Sequence, residues 1–128
     1  MSTSVTPKQR VHRILKGSRC FLSPELRLGR PLPKGVVLSP GEEFLGAIWS
    51  NRLESILTNR GAYLRAASGW KFVAYSEINE VTFPEKTDPR GSLTLHTSDG
   101  SFQLLKGNKE LWEVGRFFMR CAGDARNS

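Results

Sequence analysis

Cysteine is almost missing from this chain: Cys20 and Cys121 are the two thiols in 128 residues. Two thiols cannot build a disulfide framework, and their spacing fits no metal or redox motif, so a reducing, cytoplasmic setting is expected. Long apolar runs are missing too. None approaches the roughly 18 to 20 residues that a helix needs to cross a bilayer, and the basic start of the chain is not followed by the apolar stretch of a secretory signal. Histidine is confined to His12 and His96. No carboxylate or cysteine lies at metal or triad spacing from either, and there is no Gly-x-Ser-x-Gly elbow or glycine-rich phosphate loop. The expectation is therefore no enzyme, no cofactor and no metal. If the chain did act on a small molecule, only His96, Glu77 or Tyr75 could line the pocket, with Cys20 a nucleophile only if folding brought a base to it.

Acid is nearly absent from the first third. Residues 1–40 hold Lys8, Arg10, Arg13, Lys16, Arg19, Arg27, Arg30 and Lys34 against Glu25, so the whole surplus of seven positive charges lies there, and the remaining residues are balanced. Five of the seven prolines, Pro7, Pro24, Pro31, Pro33 and Pro40, sit in the same third. Proline removes a donor and biases its predecessor toward extended geometry, so residues 18–41 are expected to run extended over the domain or to link to it. Ahead of them, Thr6 is suited to cap a short helix with Pro7 at its first position and Gly17 as its stop. Val11, Ile14 and Leu15 form a narrow apolar stripe on that helix. A helix of about ten residues is marginal alone and needs something to pack on.

From residue 42 the pattern turns to short strands: 43–50, 53–58, 62–67, 70–75, a run through Ile78, Val81 and Phe83, then 92–98 and 102–105. The intervening turn signals are Asn51-Arg52, Asn59-Arg60-Gly61, Ser68-Gly69 and Asp99-Gly100. After Gly107 the period becomes helical, with Leu111, Val114, Gly115, Phe118 and Ala122 on one face, and Cys121 falls on its apolar side. The fold class is mainly β: about seven antiparallel strands in a strongly bent sheet or partly open barrel, capped by one C-terminal helix. The divisions are a basic extension over 1–41, a domain over 42–122 and a tail over 123–128.

Three stretches give this order a familiar look. Ile56-Leu-Thr-Asn-Arg-Gly-Ala-Tyr-Leu-Arg65, Ala74-Tyr-Ser-Glu-Ile-Asn-Glu-Val81 and Leu93 to Leu104 around Asp99-Gly100, followed by the closing helix, resemble the bacterial pleckstrin-homology-like family. The resemblance covers roughly residues 42 to 122. It implies a binding scaffold of the kind that takes lipid head groups, peptides or proteins and is seldom catalytic. Phosphoinositide-binding members carry several bases in the first hairpin; here Arg52 stands alone beside Glu54, and a phosphate clamp needs convergent donors.

Two surfaces follow as expectations. Trp49, Trp112, Phe117 and Met119 are candidates for a protein-partner or self-association surface, the last three lying off the main apolar stripe of the helix unless segment 18–41 covers them. Lys8, Arg10, Arg13, Lys16, Arg19 and Arg52 are candidates for an anion or lipid surface, with Val11, Ile14 and Leu15 as an apolar foothold for peripheral association with an anionic membrane. Nucleic acid ranks below both, because the basic stretch has no interleaved aromatic before Phe21.

Overall fold

The computed structural model describes residues 5–24 and 32–127. Residues 25–31, within the segment expected to run extended, lie outside it, Arg27 and Arg30 among them. Thr6 caps the first helix, α1 (Pro7–Arg10): its hydroxyl accepts from the Gln9 amide while the Gln9 side chain accepts from the Thr6 amide. The helix continues as a π-helical turn, Val11–Leu15, is closed by Lys16 in extended geometry, and the chain turns away at Gly17 with φ +94°. Leu15 is fully buried and Val11 nearly so, with Ile14 packed beside them. This short helix therefore has the support that its length demands.

Among the described residues eight strands follow: β1 (Phe21–Leu22), β2 (Phe44–Trp49), β3 (Leu53–Thr58), β4 (Gly61–Ala66), β5 (Gly69–Ala74), β6 (Ile78–Thr82), β7 (Leu93–Thr97) and β8 (Gly100–Leu104). Helix α2 (Leu111–Arg126) closes the chain, four residues beyond the Ala122 at which the sequence pattern ended it. The strands form two antiparallel sheets, β1 to β5 and β6 to β8, each in chain order. Both sheets are open. The strand beyond the expected seven is β1, which pairs Phe21 with Ile48 and Leu22 with Ala47. Its approach is permitted by Gly46 at φ +146°, where an added Cβ would come within 2.4 Å of the Phe21 ring.

The main core lies where the sheets and α2 meet. Ile48, Leu57 and Leu64 from the first sheet, Leu93, Leu95 and Leu104 from the second, and Phe117 and Phe118 from α2 are all buried there. At Gly115 an added Cβ would lie 2.2 Å from the Phe83 ring, so the helix backbone sits directly on that side chain. The first sheet is also covered on its other face. Val36, Ala47, Leu53, Ile56 and Tyr63 form a second cluster against Leu32, Leu38 and Trp70, and all six residues of β3 are buried. Residues 32–38 are the cover, so this part of the proline-rich segment runs across the body without helix.

The Thr-Asn-Arg-Gly stretch fastens the chain that leads from this cover into β2, and Tyr63 holds the cover itself. Thr58 donates from Oγ1 to Glu42 Oε2 at 2.7 Å and accepts from the amides of Arg60 and Gly61. Asn59 Oδ1 accepts from the Glu43 amide at 2.7 Å, and Arg60 reaches the Pro40 carbonyl at 3.2 Å. Tyr63 donates to the Val37 carbonyl at 2.8 Å and faces Glu42 Oε1 at 3.3 Å. Burial and the Glu42 carboxylate raise the Tyr63 phenol above its ordinary value. Gly61 is needed for space, since a Cβ would stand 2.3 Å from the Val73 carbonyl oxygen.

Candidate functional site

The six basic candidates are divided among different tasks. Arg10 makes two bonds to Asp124 of α2, Nε to Oδ2 at 2.8 Å and Nη2 to Oδ1 at 3.0 Å, with both side chains about four-fifths covered (18 % and 23 % exposed). Hydrogen bonding to Asp124 raises the guanidinium pKa against the opposing effect of burial. Lys8 pairs with Glu43 at 3.0 Å in the open. Arg52 lies 3.7 Å from Glu54, whose carboxylate is buried and accepts from Ser50 Oγ at 2.9 Å. Arg13, Lys16 and Arg19 are exposed and make no ion pair among the described residues.

Two of the hollows beside this segment are lined by its basic side chains. A groove of about 740 Å³ is lined by Lys8, Val11, His12 and Lys16 on one side and by Phe21, Phe44 and Leu45 on another. A smaller recess of about 260 Å³ brings Arg19 and Trp49 together with Asn51, Lys106, Asn108 and Glu110. Glu110, just ahead of α2, fastens the N-terminal segment there: its Oε2 accepts from Ser18 Oγ at 2.6 Å, the Arg19 amide at 2.5 Å and the Cys20 amide at 3.3 Å. The Ser18 bond, with help from the two amides, lowers the carboxyl pKa. Lys106 is a basic neighbour that sequence reasoning missed, because the loop that presents it is far in sequence from the N-terminal bases.

The aromatic candidates divide as well. Phe117 is fully buried, packed edge-on to Tyr75 at 5.9 Å and to Phe118 at 5.4 Å, so it belongs to the core and to no partner surface. The buried stripe of α2 is wider than the sequence pattern took it to be: Leu111, Val114, Phe117, Phe118, Cys121 and Ala122 all turn inward, as a helix pressed into the angle between two sheets requires. Trp49, Trp112 and Met119 remain 42 %, 36 % and 50 % exposed. Segment 32–38 covers Trp70, over which Arg65 stacks at 4.7 Å, but leaves these three open. Trp112 lies flat on Phe83, with ring centroids 4.9 Å apart and planes 13° from parallel. Arg116 and Arg120 are exposed on the same helix; their four-residue spacings from Trp112 and from each other were the available signal for them.

Most of the candidates for catalysis are engaged in hydrogen bonds. His96 bridges Thr82 Oγ1 at 2.7 Å and Ser101 Oγ at 3.0 Å across the second sheet. Tyr75 is buried, donates to the Thr58 carbonyl at 2.7 Å, and has its phenol pKa pushed well up by burial. Glu77 accepts from the Ala74 amide at 2.9 Å. His12 is exposed beside the larger groove. Cys20 and Cys121 are free and buried, and burial raises both thiols. Among the described residues no group of three or more metal-ligating side chains gathers, and no helix is long and apolar enough to cross a membrane. Comparison with family models, curated proteins and solved structures found no match.

Proposed function

We propose that this chain is a non-enzymatic, pleckstrin-homology-like interaction module of the cytoplasm that binds a protein partner. The observation that carries this reading is the fate of the N-terminal apolar stripe. Val11 and Leu15, which would be the foothold of a membrane anchor, are buried in the core, and Arg10 is committed to Asp124. Membrane association by that route would require pulling Leu15 out of the core. Trp49, Trp112 and Met119 meanwhile stay exposed, and aromatic and Met side chains are enriched in protein interfaces. Strands β2 to β5 in one sheet and β6 to β8 in the other, with the two-residue β1 added at the edge of the first and a C-terminal helix on the core, support the pleckstrin-homology-like assignment, as does the role of Thr58-Asn59-Arg60-Gly61 as a clamp on the chain entering β2.

Site-specific photo-crosslinking tests the reading. A benzophenone side chain placed in turn at positions 13, 49 and 119 of the full chain should give adducts with protein of discrete mass from 49 or 119. Adducts with lipid alone, concentrated at position 13, would overturn it in favour of the membrane.

A further inference from the structure

The outer face of α2 has a chemistry of its own. Trp112, Arg116, Met119 and Arg120 are all exposed, and at 3.6 residues per turn they fall within an arc of about 100°. Gly123 falls within the same arc, and a Cβ added there would meet nothing within 4 Å, so the face is open at that turn. Trp112 is held in one orientation by its stack on Phe83, which reduces the ordering cost of using it as an anchor. Neither arginine has an ion pair among the described residues. Glu113 borders the arc and is half-buried, while Asp124 is taken by Arg10. Two apolar anchors and two unpaired guanidinium groups thus share one rigid helix face. Trp, Met and Arg are the residue types that concentrate binding energy at interfaces.

Resting on the protein-interaction reading above, we propose that this face docks an acidic, amphipathic helical segment of a partner protein. Charge selects the partner. A second copy meeting the same face symmetrically would set Arg116 and Arg120 against their own counterparts, and like charges so placed repel. An acidic segment instead gives each guanidinium a carboxylate for paired hydrogen bonds while its apolar side chains cover Trp112 and Met119.

The test is a titration of the isotope-labelled full chain, followed by amide chemical shifts, with a synthetic helical peptide built of Glu and Leu. The same peptide with Lys for Glu is the charge control, and phosphatidylserine–phosphatidylcholine vesicles are the lipid control. The Glu peptide should move resonances of Trp112, Arg116, Met119, Arg120 and Gly123. The double substitution R116E/R120E should weaken its binding by about tenfold or more, and the Lys peptide should bind that variant and not the parent. All these positions are exposed, so retained dispersion of the spectrum would show that the variant is folded. Shifts centred on the N-terminal groove or the Arg19–Trp49 recess would overturn the α2 face and leave the interaction reading standing. Concentration-dependent shifts on α2 without peptide would overturn the acidic partner in favour of a second copy. Binding of vesicles through α2 in preference to the Glu peptide would overturn both readings, and no shift with the Glu peptide would overturn this one.

Discussion

Shortening Leu15 to Ala separates a docked N-terminal helix from a loose basic arm. Leu15 has no exposed surface and packs in the main core. Leu→Ala at such a site costs about 2–5 kcal/mol, the lost transfer energy plus the cavity left behind. At about 2.1 cal/mol/K per residue, the unfolding entropy of a chain of 128 residues is roughly 0.27 kcal/mol/K near its midpoint. A loss of about 3 kcal/mol thus lowers Tm by about 11 °C. Urea unfolding followed by tryptophan fluorescence should show the midpoint falling with the slope unchanged, while Arg13→Ala on the exposed face should stay within about 0.5 kcal/mol of the parent. A Leu15→Ala effect as small as that of Arg13→Ala would refute the reasoning, because it would mean that the basic segment is not part of the folded body.

Other consequences follow from particular contacts. A double-mutant cycle of Arg10→Ala and Asp124→Ala should give a coupling of about 1 kcal/mol, because the bonds are paired and partly covered; zero coupling would mean that the ion pair does not fasten α1 to α2. Glu110 has a lowered pKa in the folded chain, so it contributes stability above the ordinary carboxyl value of about 4.3 that is lost as pH falls through the folded value. Glu110→Gln should therefore flatten the acid limb of a stability–pH profile, and an unchanged limb would count against the Ser18 and Arg19 contacts. Thr58→Val keeps the shape but removes the bond to Glu42 and leaves two turn amides without their acceptor; a loss of about 2 kcal/mol in chemical unfolding is expected. Cys20 and Cys121, about 3 % and 2 % exposed with raised pKa values, should react with a thiol reagent at neutral pH only at the rate of unfolding.

Much of the fold is legible in local pattern. The seven strands from β2 to β8, the capped first helix and the terminal helix lie within a few residues of where apolar alternation and turn residues put them, because each is set by neighbours in sequence. Two hairpins are displaced by one residue: the turns fall at Ala67-Ser68 and Ser98-Asp99, and Gly69 and Gly100, at φ +125° and +140°, open the returning strands. Two-sided burial of the first sheet was written in the consecutive apolar pairs Ala47-Ile48, Ile56-Leu57 and Tyr63-Leu64, which point to opposite faces. A chain read as half-buried strands passes over that signal. Arg10 meeting Asp124 and Glu110 meeting Ser18 join residues some hundred positions apart, and no periodicity announces such pairs. For the same reason the basic candidates, adjacent in sequence, read as one surface although folding gives them separate tasks.

Vesicle co-sedimentation of the full chain tests the central claim most directly, since protein binding and membrane anchoring make opposite demands on residues 7–16. At about 0.15 M salt, where screening extends over about 8 Å, phosphatidylserine-containing vesicles should pellet no more of the chain than phosphatidylcholine vesicles do, and Leu15 should stay in the core. Salt-sensitive binding to the anionic vesicles that disappears when Arg13 and Lys16 are changed to Glu would contradict the account and make the basic segment a membrane anchor.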